Sequence, residues 1–153
     1  MKRQIKLNDR EITLKSSAAT NILYKKAFGE DILVKLTAYT KNVKELKAMQ
    51  EKVAELKNDT NKTQEEKLAI MNEMVNSDVF ISSNKFTQET LPRLAYIMYI
   101  EANASIEDIF SKLNNEQYLI WLMSIDQDEL TSLSGEVMDL WQAGAKTHST
   151  PKN

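Results

Sequence analysis

The chain has 153 residues, 42% of them hydrophobic and 27% charged, with a net charge of −2 and no cysteine. A chain of this length suits one compact domain with a real core, and three glycines with two prolines leave few places for tight turns, so a mostly helical protein is expected. The absence of cysteine excludes disulfide staples, thiolate metal sites and cysteine nucleophiles.

Gln4-Ile5-Lys6-Leu7 and Glu11-Ile12-Thr13-Leu14 each alternate apolar with polar, and Asn8-Asp9-Arg10 between them tolerates turn geometry. The pattern predicts a β-hairpin with one apolar face. An isolated hairpin is marginal in water, so Ile5, Leu7, Ile12 and Leu14 should rest on a helix. Ser16 or Ser17 is placed to cap the next helix, whose inward stripe is expected to be Ala19, Ile22, Leu23 and Ala27. Gly29 supplies the left-handed position that ends it, and Phe28 anchors the corner.

Glu30 and Asp31 open the following helix, where carboxylates face the positive end of the helix dipole. Ile32, Leu36, Tyr39, Val43, Leu46, Met49, Val53 and Leu56 then recur at steps of three or four. Lysines 35, 41, 44, 47, 52 and 57 occupy the other faces. Such a helix packs along one side, and past Leu46 it is expected to project as an arm that engages a partner helix. Asn58 to Lys62 is a polar break, and Thr63-Gln64-Glu65-Glu66 matches a capping box that starts a new helix. Its apolar face is Leu68, Met71, Met74 and Val75. The two helices read as a long helical hairpin over about residues 30–77, and Ser82-Ser83-Asn84 reads as a turn after it.

Thr87 or Thr90 begins the next helix, with Pro92 in its first turn, where a missing backbone donor does least harm. From Leu91 to Ala102 this helix is apolar nearly all round, so it should be central. Ser105 caps a short helix with Ile109, Phe110 and Leu113 inward, and Asn114 or Asn115 starts another that carries Tyr118, Leu119, Trp121, Leu122 and Ile125. Asp126 with Glu129 repeats the capping logic. The last helix sets Leu130, Leu133, Val137, Leu140 and Trp141 on one stripe and is expected to stop at Gly144. The fold class is therefore mainly α: an N-terminal β-hairpin packed on one multi-helix domain, residues 1–144, with a disordered tail at 145–153.

The charge is uneven along this order. Residues 1–67 hold 15 Lys+Arg against 10 Asp+Glu, and residues 68–153 hold 5 against 12, giving +5 and −7. This polarity fits pairing within the molecule or head-to-tail contact between copies of the chain. The start of the chain lacks the apolar run of an export signal, and the apolar runs Leu94–Ile100 and Tyr118–Met123 fall well short of the roughly 20 residues that cross a bilayer. No membrane association is expected.

Catalytic equipment is sparse. The lone histidine, His148, lies in the expected tail, so a serine or cysteine triad and a histidine metal cluster are both out of reach. Asp126, Asp128 and Glu129 suggest part of a calcium loop, but the glycine of such a loop is missing and helix capping explains all three. Gly29, Gly135 and Gly144 are isolated, so there is no phosphate-binding loop. The lysine-rich helix has little aromatic interleaving beyond Tyr39, and its acids oppose phosphate contacts, so nucleic acid is not expected as a partner. The residues point to a non-enzymatic protein without a cofactor.

The hairpin, the junction Phe28-Gly29-Glu30-Asp31-Ile32-Leu33, the helix with Leu94-Ala95-Tyr96-Ile97-Met98 and the closing Leu140-Trp141 resemble, in order and spacing, the tail assembly chaperones of long-tailed, siphovirus-type phages or prophages of Gram-positive bacteria. The resemblance spans residues 1–144. It implies a protein of the host cytoplasm that binds the helical tape-measure protein, keeps it soluble and helps recruit the tail-tube protein. It also implies self-association, absence from the finished virion, and a longer form made by frameshifting near Lys152-Asn153. Residues 41–75 are longer and richer in lysine than in shorter members of that family. Expected contact residues are Val43, Leu46, Met49, Val53, Met71 and Met74 on the arm, with Tyr96, Tyr99, Trp121 and Trp141 in the second half. The alternatives are a small structural protein of a head or tail connector that stays in the particle, and a helical DNA-binding regulator.

Overall fold

A computed structural model of the chain describes residues 1–149, with side chains through residue 143. The chain is mainly helical behind an N-terminal two-stranded hairpin. It divides into two compact units, one formed by Met1–Ile32 and Glu89–Asn153 and the other by Leu33–Gln88, where the sequence reading has a single domain with an arm over 30–77.

In the first unit, strands β1 (Lys2–Lys6) and β2 (Glu11–Lys15) pair antiparallel with Ile5 opposite Ile12. The turn closes as Leu7 donates its N–H to the Arg10 carbonyl at 2.8 Å. Period-two alternation puts Ile5, Leu7 and Leu14 on one buried face, with Ile12 half-buried beside them. That face lies on helix α5 (Leu91–Asn103), as the alternation requires. Asn103 fastens the hairpin by donating from Nδ2 to the Thr13 carbonyl at 2.9 Å.

Helix α1 (Thr20–Phe28) starts one turn beyond Ser17. Ser17 N–H donates to Thr20 Oγ1 at 2.9 Å while Ala19 N–H donates to Ser17 Oγ at 3.1 Å, so the serine organises the entry without being the cap itself. The inward stripe is Thr20, Leu23 and Tyr24. Ile22 is 70% exposed and Ala19 is exposed too, which corrects the expected stripe. The reason is polar: Glu101 accepts from both Ser17 Oγ (2.5 Å) and Thr20 Oγ1 (2.6 Å), and turning Thr20 inward turns Ile22 out. Gly29 ends the helix at φ 70°, a left-handed conformation, and donates to the Lys25 carbonyl.

Helix α5 is the centre of this unit, buried nearly all round. Against it lie α1, helix α6 (Asn115–Leu122) and helix α7 (Gln127–Ser149). The stripe of α7 buries Leu133, Val137, Leu140 and Trp141. Asn114 caps α6 by accepting from Gln117 N–H at 2.9 Å, and Asp126 N–H donates to Glu129 Oε1 at 3.1 Å ahead of α7, both as the capping residues suggest. Phe110, expected inward, is 57% exposed and carries the Lys26 ammonium 4.6 Å from its ring centre. The backbone of α7 does not stop at Gly144 but runs to Ser149. A glycine inside a helix costs only about 1 kcal/mol and does not force a stop among good helix formers such as Ala143, Ala145 and Lys146. The disordered tail expected at 145–153 is thus helical backbone at its start, and residues 150–153 lie outside the described residues.

In the second unit, helix α2 (Ile32–Asn58) is followed by α3 (Gln64–Val75) and α4 (Asp78–Lys85). Thr63 caps α3 by accepting from Glu66 N–H at 3.2 Å, and Ser77 caps α4 by accepting from Phe80 N–H at 3.3 Å. The α2 stripe from Leu36 to Val53 is only half-buried, Leu56 is buried, and no residue of α3 is buried. Leu68, Met71 and Val75, three of the four residues of the expected apolar face, are exposed. Tyr39 and Phe86 stack at 4.1 Å between ring centres, with Phe86 buried. The expected turn at Ser82-Ser83-Asn84 is instead the last part of α4, continued by a π-helical turn over Phe86–Thr90. The single Thr87 hydroxyl proton is shared between the carbonyls of Ser83 (3.3 Å) and Asn84 (3.1 Å), one turn back along the helix. The π-turn stands just ahead of Pro92, whose ring and missing N–H disturb the carbonyl four residues earlier; widening the helix there relieves the clash.

Candidate functional site

Each unit presents a depression lined by several residues expected to make contacts. In the second unit, Leu46, Met49 and Val53 of α2 face Met71 and Met74 of α3 across a groove of ≈ 220 Å³, with Val75 and Phe80 completing its wall. The spacing that made an amphipathic stripe in each helix puts both stripes on this groove. Ser77 Oγ reaches the Met49 sulfur at 3.8 Å at one end. Val43 is half-buried one turn earlier on α2 and does not line the groove.

A second depression of ≈ 180 Å³ continues along the same side, sharing Val53 and Met71 and adding Leu56, Leu68, Lys57 and Lys67. The other side of the hairpin is different in kind. There Lys52, Glu55, Asp59 and Lys62 surround Leu56 and Ile70, so charges of both signs rim the depression.

In the first unit, Tyr96, Tyr99 and Trp121 meet at a depression of ≈ 200 Å³ that also takes in Asn103, Lys112 and Gln117. The ring centres of Tyr96 and Tyr99 lie 5.4 and 5.7 Å from that of Trp121. Tyr96 is only 3% exposed, and its hydroxyl donates to the Lys112 carbonyl at 2.7 Å. Burial, with Tyr99 adding to it, pushes its phenol up to about 12. Trp141 is 7% exposed on the buried stripe of α7 and lines neither depression. Both side chains are buried, whereas Tyr99 and Trp121 are each half-buried.

The aromatic chain continues inward through Tyr118 to Phe28, whose ring centres lie 5.4 Å apart, and reaches the glycine junction. There the Arg93 guanidinium sits 5.2 Å from the Phe28 ring centre and 3.5 Å from Glu30. Burial, and then the Glu30 carboxylate, raises the Tyr24 phenol to about 12. This cluster joins α1 to α5. Glu129 is spent on the α7 entry and lies 3.7 Å from Arg10, while Asp126 and Asp128 are exposed. Among the described residues no group of three or more histidines or carboxylates could hold a metal, and no helix is long and apolar enough to cross a membrane. The side chain of His148 lies outside the described residues.

Comparison with known protein families, curated proteins and solved structures finds no match to this chain.

Phe80 and Gln50 line the arm groove without having been expected there, as do Asn103, Lys112 and Gln117 in the first unit. Val79-Phe80-Ile81 behind Ser77 carried a legible signal, an apolar run behind a capping serine, but the serines at 82 and 83 read as a break. The polar residues carried none, since each needs the tertiary fold to bring it beside Trp121.

Proposed function

We propose that this chain is a non-enzymatic assembly chaperone of the kind found in long-tailed phages. It binds the tape-measure protein in the cytoplasm of the bacterial host, keeps it soluble and helps recruit tail-tube subunits. The observation that carries this reading is the arm groove, where five of the expected contact residues share one apolar surface and three of them are methionines. Unbranched thioether side chains adapt to varied apolar partners, which suits a long client presenting many similar amphipathic helices. Weak contacts repeated along such a client hold it by avidity without stopping its later transfer into the tube. Self-association would multiply the number of grooves available to one client.

Co-expression with a siphovirus tape-measure protein tests the reading. The client is expected in the soluble fraction with this chain present and in the pellet without it. Equal partition in both cases would overturn the proposal.

A further inference from the structure

The two depressions between α2 and α3 meet at Val53 and Met71, so they form one furrow from Leu46 to Lys57. At 1.5 Å per residue that is about 17 Å, close to three turns of helix. Its floor is apolar, and its walls include Leu68 at 58% and Met71 at 39% exposure. Its charge is confined to one end, where Lys57 and Lys67 line the furrow on opposite helices. Neither lysine has a carboxylate within ion-pair distance among the described residues. On the reverse side of the hairpin, by contrast, Lys52 and Lys62 share their rim with Glu55 and Asp59.

Resting on the reading proposed above, we infer that the furrow takes a single amphipathic helix of about three turns whose C-terminal turn is acidic, making α2 and α3 two members of a three-helix bundle. Leucine-like side chains at i, i+3 and i+7 fill the floor between Leu46 and Val53. The carboxylates of the last turn meet Lys57 and Lys67, where the negative end of the helix dipole adds to the attraction. The mixed rim of the reverse side offers no such net charge. The lysine pair therefore selects both the side of the hairpin and the direction of the bound helix, and opposite charge suppresses wrong registers.

The test uses the full chain and two fluorescein-labelled synthetic helices with leucine at those spacings. One carries glutamates in its C-terminal turn and the other carries lysines there. The glutamate peptide is expected to bind at least about tenfold more tightly than the lysine peptide at low salt. Lys57→Glu with Lys67→Glu should invert that order, Lys57→Gln with Lys67→Gln should level it, and Met71→Glu should weaken both peptides. Circular dichroism checks that each variant keeps its helices. Absence of binding, equal binding of the two peptides, or indifference to Met71→Glu overturns the inference. The two peptides on the unaltered chain decide the charge argument even where a variant misfolds. A chain that solubilises the tape-measure protein while binding neither peptide would sink this inference and leave the proposed function standing.

Discussion

The two units put the same residue types to different uses. In the first, α5 is enclosed by the hairpin, α1, α6 and α7, and residues such as Leu94, Ile97 and Met98 are sealed from water. In the second, α2 and α3 carry comparable leucines, valines and methionines, yet only Leu56, Ser83 and Phe86 are buried between Leu33 and Gln88. An apolar stripe therefore does not by itself say how completely its own chain covers it. Stability should be concentrated in the first unit, and apolar surface available to others in the second.

Four changes break or sharpen that contrast. The largest effect is expected from Ile97→Ala, which opens a cavity at a fully buried site; chemical denaturation should show a loss of about 2–5 kcal/mol. Next comes alkaline pH. Tyr24 and Tyr96 have phenols raised from 10.0 to about 12 by burial, and the protonated phenol is the neutral form. Their contribution is thus complete below pH 10 and is lost as pH rises from 10 toward 12. Tyrosinate absorbance should lag behind that of free tyrosine and then rise together with loss of the first unit's tertiary signal. Third, Gly29→Ala meets no neighbouring atom, so only the φ of +70° opposes it; a loss of about 1–2 kcal/mol is expected from the denaturation midpoint. The smallest effect belongs to Leu68→Ala in the arm, an exposed site, which should shift stability by no more than about 0.5 kcal/mol.

The hairpin, the central helix and the α7 stripe were legible because each is a local pattern completed by burial in its own unit. Gly29 and the caps at Thr63 and Asn114 were legible for a similar reason, since each works on a backbone donor or torsion close by in sequence. The misread places are those where a distant group decides. Glu101 turns Thr20 inward and Ile22 outward, and nothing near residue 20 announces that carboxylate. One exception is local: Ser82-Ser83-Asn84 reads as a turn by composition, yet it lies within the helix that Ser77 caps. For the site, spacing named the methionines and leucines of the arm but could not separate core aromatics from surface ones. Tyr96 and Tyr99 sit on one helix, and the Lys112 carbonyl, in the segment ahead of α6, makes the first a buried donor while the second stays half-buried at the depression.

The central claim is that the arm lends its apolar furrow to a client. The most direct measurement is the soluble fraction of a co-expressed tape-measure protein with the unaltered chain and with Leu68→Glu plus Met71→Glu, two exposed changes that should leave the chain's own melting transition in place. The account predicts that the unaltered chain keeps the client in solution and that the doubly changed chain, still folded, lets it precipitate. Equal rescue by both chains would contradict it.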